Sequence, residues 1–201
     1  MYVPDHFSPP SDEAMVSLIR ARSFGALITS DLQATHIPFL LEERTDGLVL
    51  VGHVARANPH WQMFDGANVG LVIFQGTDGY ISPSWGDAPD ACEKLVPTWN
   101  YMVVHAKGVP RLVEGEVAAH DLLTRMTAAQ EEGRALPWRV EDLAPGMMER
   151  LITALVVFEM PIASLEGKWK LSQNRTEADR NAFRSALTDE GRSDLAQAMR
   201  D

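Results

Sequence analysis

The stretch GHVARANPHW, residues 52–61, gathers His53, Arg56, Asn58 and His60 where the apolar run LVLV ends. A plain strand-to-loop exit needs about one polar residue at such a place, so the surplus of donors suggests a ligand. Arg56 offers a fork of donors that matches phosphate oxygens, and a helix beginning at Pro59 would aim its backbone amides at the same anion. Spacing alone leaves two readings open: a phosphate cup at Arg56 and Asn58, or a surface arginine beside a helix-capping asparagine. A second such stretch is EGKWKLSQNR, residues 166–175, which places two lysines, Trp169, Gln173, Asn174 and Arg175 directly before a helix cap. A solvated connector needs neither the aromatic ring nor so many amide donors.

Other chemistries find less support. His36, His53 and His105 fall in strand-like segments while His6, His60 and His120 do not, and no pair has the helical spacing of HExxH or an accompanying Cys or Asp cluster. Neither a metal site nor a haem ligand is therefore expected. Phosphate loops of the GxGxxG or GxxxxGK[ST] type are absent, so a bound phosphate must be held by side chains and a local turn. Trp85, Trp99 and Trp169 each sit among hydrogen-bonding residues, a setting that suits packing with a satisfied N–H or stacking on a planar ligand. The single cysteine, Cys92, can form no intrachain disulfide, which fits a reducing compartment.

These residues must be positioned by the elements around them. Ser11 followed by DEAMVSLIRAR reads as a capped first helix. FGALITS (24–30), ATHIPFLLE (34–42), GLVLVGHV (47–54) and NVGLVIFQG (68–76) are strand-length apolar segments joined by SDLQ, ERTDG and a Pro59-led turn. Joints that short exclude βα crossovers, so consecutive strands are expected to pair antiparallel. WNYMVVHAKGVPRLV (99–113) continues the pattern with a bend expected at Gly108 and Pro110. Helices are expected over 117–133 and 145–155, a strand over 156–171, and a helix capped by Thr176 and Asp179 running to about Leu187, with DLAQAMR as a last one. Six to eight strands with helices at the start, middle and end predict an α+β fold, an antiparallel barrel or sandwich decorated by helices.

A chain of 201 residues is expected to form one domain over 1–201, with a helical tail from about 176 to 201. The formal net charge of −10 argues against a duplex-DNA binder that works by neutralising phosphates. Seven basic against six acidic side chains lie in 168–201, so an anion is better received there or at an isolated spot such as Arg56. The N-terminal MYVPDHFSPPSDE lacks the basic and apolar regions of a signal peptide, and no apolar run approaches the roughly 20 residues of a membrane helix. A cytoplasmic protein with no membrane contact is expected.

The segments MYVPDHF, SFGALITS, ATHIPFLL, GHVARANPHW, VIFQGTDGYISPSW, VPTWNY and EGKWKLSQNR, in this order from Met1 to about Arg180, resemble the PaiB family of FMN-binding negative transcriptional regulators, within the FMN-binding split β-barrel superfamily. The resemblance implies a six-stranded antiparallel split barrel, a homodimer, and FMN at the subunit interface. It implies that Arg56 and Asn58 hold the flavin phosphate with His53 alongside, and that Thr29, Ser30, Thr35 and His36 line the same pocket. Gln75 would face the cofactor, and Trp169, Gln173, Asn174 and Arg175 would come from the second chain. Related enzymes carry two adjacent basic residues at the phosphate motif, whereas Ala57 follows Arg56 here. Besides a regulator, the superfamily suggests an FMN-dependent oxidoreductase, for which Tyr101 and His105 are the candidate proton-transfer residues, and a haem-binding split barrel.

Overall fold

Two of the short polar joints, SDLQ and ERTDG, become hairpin turns in the computed structural model, which describes residues 1–200, whereas the Pro59-led joint connects strands that do not pair with each other. Strands β1 (Phe24–Ile28) and β2 (Ala34–Pro38) pair antiparallel, with Ala26 opposite His36 and Leu27 opposite Thr35. Strands β3 (Leu40–Arg44) and β4 (Gly47–Ala55) form the next hairpin, closed at Arg44 and Gly47. Gly47 sits at φ +123°, a conformation that favours glycine, so the Asp–Gly signal of the sequence is used as expected.

Strands β5 (Gly70–Ile81), β6 (Thr98–Gly108), β7 (Arg111–Leu112) and β8 (Leu155–Lys170) complete a mixed α+β fold with six α-helices among the described residues. The strand order is β2-β1-β5-β6-β8-β4-β3, with β7 on β8. Among the described residues eight strands appear where the resemblance implies six, through breaks after Pro38 and Gly108. β2 ends at Pro38, yet Phe39 N–H still donates to Ser23 O at 2.8 Å, one step further along the β1–β2 register, before β3 begins at Leu40. At Gly108 an added Cβ would lie 2.1 Å from Pro161 O, so β6 ends in a close backbone approach that only glycine permits, and β7 follows Pro110.

The chain divides into two units. The first comprises Met1–Leu18, Gln75–His105 and Glu166–Asp201. It contains most of helix α1 (Asp12–Ala21), the short α2 (Ala91–Lys94), α5 (Glu177–Asp189) and α6 (Ser193–Ala198). Its core includes Phe183, Leu187, Leu195 and Met199. The Thr176 hydroxyl caps α5 by accepting from Asp179 N at 3.1 Å, as the sequence predicts.

The second unit comprises Ile19–Phe74 and Ala106–Leu165. Its aromatic core joins Phe39 to Phe74 and Phe158, with centroids 5.6 and 6.2 Å apart, and Phe64 to Phe158 at 4.5 Å. Helices α3 (Glu116–Glu131) and α4 (Met147–Ala154) cover another apolar face, where Ala119, Leu122, Leu123 and Met126 of α3 and Ile152 of α4 pack on Val49, Val51 and Val157.

Candidate functional site

In the second unit the polar cluster after β4 closes around a residue that sequence reasoning did not assign to the site. His60 is fully buried. Its Nε2 lies 2.6 Å from Thr29 Oγ1 and its Nδ1 lies 2.7 Å from Thr35 Oγ1. The carboxylate of Asp31 can only accept, and Thr29 donates its hydroxyl hydrogen to it at 2.6 Å. Thr29 therefore accepts from Nε2–H, and the bare Nδ1 accepts from the Thr35 hydroxyl. Thr35 Oγ1 in turn accepts from Asn58 Nδ2 at 3.2 Å. The chain of bonds is complete for a neutral imidazole, in keeping with burial, which pushes the His60 pKa down against the pull of Asp31.

Local structure delivers each member. Thr29, Ser30 and Asp31 occupy the turn between β1 and β2, where Leu32 adopts φ +65° and Asp31 Oδ1 also accepts from Gln33 N. Asn58 caps the 3-10 turn Pro59–Met63 by accepting from His60 N at 3.1 Å, so the start of a helical turn expected at Pro59 is present. The Asn58 amide thus both caps that turn and donates to Thr35.

Arg56 points elsewhere. Its Nε and Nη2 donate to the carbonyls of Thr153 and Leu155, each at 2.8 Å, which fastens the end of α4 to the exit of β4. Nη1 has no protein partner among the described residues, and Arg56 pairs with no carboxylate. Together with Trp61, Arg56 borders a cavity of about 480 Å³ whose wall is largely apolar, including Val113, Ala119, Ile152 and Val157, with Glu114 and Glu116 at its edge.

The remaining predicted residues of this unit lie apart from that network. Ser30 Oγ donates to Asn68 Oδ1 at 3.3 Å, and His36 is exposed and stacked on Phe24 with centroids 6.3 Å apart. His53 lies opposite Val157 in the β4–β8 pairing, its buried Nδ1 lacks a hydrogen-bond partner, and burial lowers its pKa.

In the first unit, Gln75 is exposed and donates to Asp78 Oδ2 at 2.8 Å. Trp169 is buried, and Gln173 serves the backbone, accepting from Leu171 N and donating to Trp169 O at 2.7 and 2.6 Å. Asn174 and Arg175 line a small cavity with Lys170. Among the described residues no group of three or more His, Cys, Asp or Glu could hold a metal ion, and no helix is long and apolar enough to cross a membrane.

Comparison with known proteins bears on family and fold. The sequence model described as "Putative FMN-binding domain" matches residues 1–164. The protease synthase and sporulation protein PAI 2 of Bacillus subtilis is 34% identical over 182 residues, covering 89% of this chain and 85% of the relative. An uncharacterized protein of Saccharomyces cerevisiae is 32% identical over 156 residues, 67% of this chain and 92% of that one. Among solved structures, the flavocytochrome Anf3 of Azotobacter vinelandii superposes with a TM-score of 0.63 at 16% identity, covering 87% of this chain and 73% of its own. A FAD- and haem-binding protein of Mycobacterium smegmatis gives 0.57 at 15% identity, with 81% and 73% covered. At such identities the likeness is one of fold.

Proposed function

The chain belongs to the FMN-binding domain family, and from that premise we propose that it binds FMN between two copies of itself and acts as a flavin-bearing negative regulator of transcription. The observation that carries the flavin reading is the state of Arg56. In a chain of net charge −10 this cation has no carboxylate partner among the described residues, and two of its nitrogens are held by carbonyls, which fixes the guanidinium and leaves Nη1 for an anion. A fixed, unpaired guanidinium fits the phosphate of FMN, and exposed Ser30 and His36 fit the hydroxyls and ring edge of a flavin. Thr29, Thr35 and Asn58 act through His60 as positioning residues. Ala57 leaves Arg56 without an adjacent basic residue, so the phosphate grip rests on that one side chain within this motif.

Bound FMN supplies one- and two-electron redox chemistry, while the protein supplies orientation and exclusion of water. The strongly acidic composition favours regulation that does not depend on gripping duplex phosphates. The test is the visible absorption spectrum of the protein after FMN is added and the excess removed. Retained flavin bands are expected, and a colourless protein would overturn the reading. Arg56→Ala, losing a charge-assisted hydrogen bond worth about 1.5–3 kcal/mol, is expected to raise the FMN Kd by roughly ten- to hundredfold. An unchanged Kd would remove Arg56 from the site.

A further inference from the structure

Where β8 ends, a cavity of about 130 Å³ in the first unit is lined by Phe7, Thr98, Lys170, Ser172, Asn174 and Arg175. We propose that this cavity is a binding site for one oxyanion group, a phosphate or a carboxylate, held between Lys170 and Arg175. All its lining residues lie in one unit of the chain, and its failure would leave the flavin reading standing.

Charge carries the assignment first. Lys170 Nζ donates to Thr98 Oγ1 and to Trp99 O, which uses two of its three hydrogens. The charges acting on it are Lys168 and Arg175, both positive. None of the three forms an ion pair with a carboxylate among the described residues. Lys168 is itself held in place, 5.5 to 5.9 Å from the ring centres of Tyr2, Phe7 and Tyr101, with Nζ donating to Tyr2 O at 3.2 Å. Burial, then the two neighbouring cations, lower the Lys170 pKa. Like charges gathered without a counter-ion repel, and an anion between them offsets the repulsion.

Shape and rigidity point the same way. At roughly 30 Å³ per water, the cavity has the room of about four waters, enough for a tetrahedral or planar head group and too little for the three fused rings of a flavin. The turn that presents Asn174 and Arg175 is fixed. Ser172 adopts φ +63°, its hydroxyl donates to buried Asn100 Oδ1 at 3.0 Å, and its carbonyl accepts from Arg175 N at 3.0 Å. A left-handed serine persists only where its surroundings over-determine it, and such strain gathers at ligand sites.

Inorganic phosphate is the probe. A saturable rise in Tm with phosphate is expected for the wild-type chain, weakened at least tenfold in apparent affinity in Lys170→Met and in Arg175→Ala but retained in Arg150→Ala, which removes an exposed charge on α4. In the wild-type chain, phosphate is expected to slow acylation of Lys170 while leaving Lys94 unaffected, a readout that survives if either variant fails to fold. Equal phosphate effects in all four proteins, or no protection of Lys170, would overturn the site. Repeating the titration with FMN and with riboflavin identifies the source of the anion. Loss of the phosphate effect under FMN alone assigns the site to the flavin's own phosphate, and its persistence assigns it to a separate small anion.

Discussion

His60 shows how little of a site one side chain can reveal in isolation. Its two nitrogens are satisfied by threonines from the β1–β2 hairpin, and removing either hydroxyl leaves a buried group unmet. Thr35→Val is expected to cost about 2–3 kcal/mol in urea unfolding, because it strips the donor to Nδ1 and the acceptor of Asn58 together. A loss below about 0.5 kcal/mol would mean the network carries no stability. The histidines also set a pH dependence. Folded His53 and His60 titrate below the ordinary 6.5, so between that value and their folded pKa the unfolded chain binds more protons. Stability is therefore full above about pH 6.5 and falls as acid is added below it. Urea midpoints at about pH 7.5 and about pH 5.5 check this, and His53→Leu is expected to show a shallower fall. None of this network was legible from spacing: GHVARANPHW shows a surplus of polar groups, but the partners of His60 meet it only when the hairpin folds.

Elements were legible where a local signal suffices. The Asp–Gly turn before β4, the start of a helical turn at Pro59 and the Thr176 cap of α5 are all read from a few adjacent residues. Thr176→Ala is accordingly expected to cost about 1 kcal/mol in thermal or urea unfolding, and no change would mean the cap is redundant. β6 ends at Gly108, where the sequence predicts a bend, although the close approach of Pro161 that holds the chain there could not be read from neighbouring residues. Arg56 is the sharpest case, since the carbonyls it holds lie 97 and 99 residues away. The α3 face has its own test: Leu122 is almost wholly buried against the sheet, and Leu122→Ala is expected to destabilise the chain by about 2–4 kcal/mol, with little effect on FMN affinity.

For the whole molecule, the succession of strand-like and helical segments indicated an α+β fold and long ordered motifs indicated the family, while assembly lay outside what a single chain's pattern could show. The proposed homodimer predicts a sedimentation mass about twice the 22.2 kDa of the chain, and a strictly monomeric species that still binds FMN would dismiss the shared site.

The division of the chain also has a consequence for biosynthesis. Residues Met1–Leu18 leave the ribosome ahead of Ile19 and all that follows it here, yet they belong to the unit that is completed only when the stretch from Glu166 onward has emerged. The unit of Ile19–Phe74 and Ala106–Leu165 has all its residues earlier. The nascent chain must carry Met1–Leu18 unfinished while the 147 residues from Ile19 to Leu165 are made, and the late-arriving EGKWKLSQNR segment supplies partners that Met1 and Tyr2 wait for.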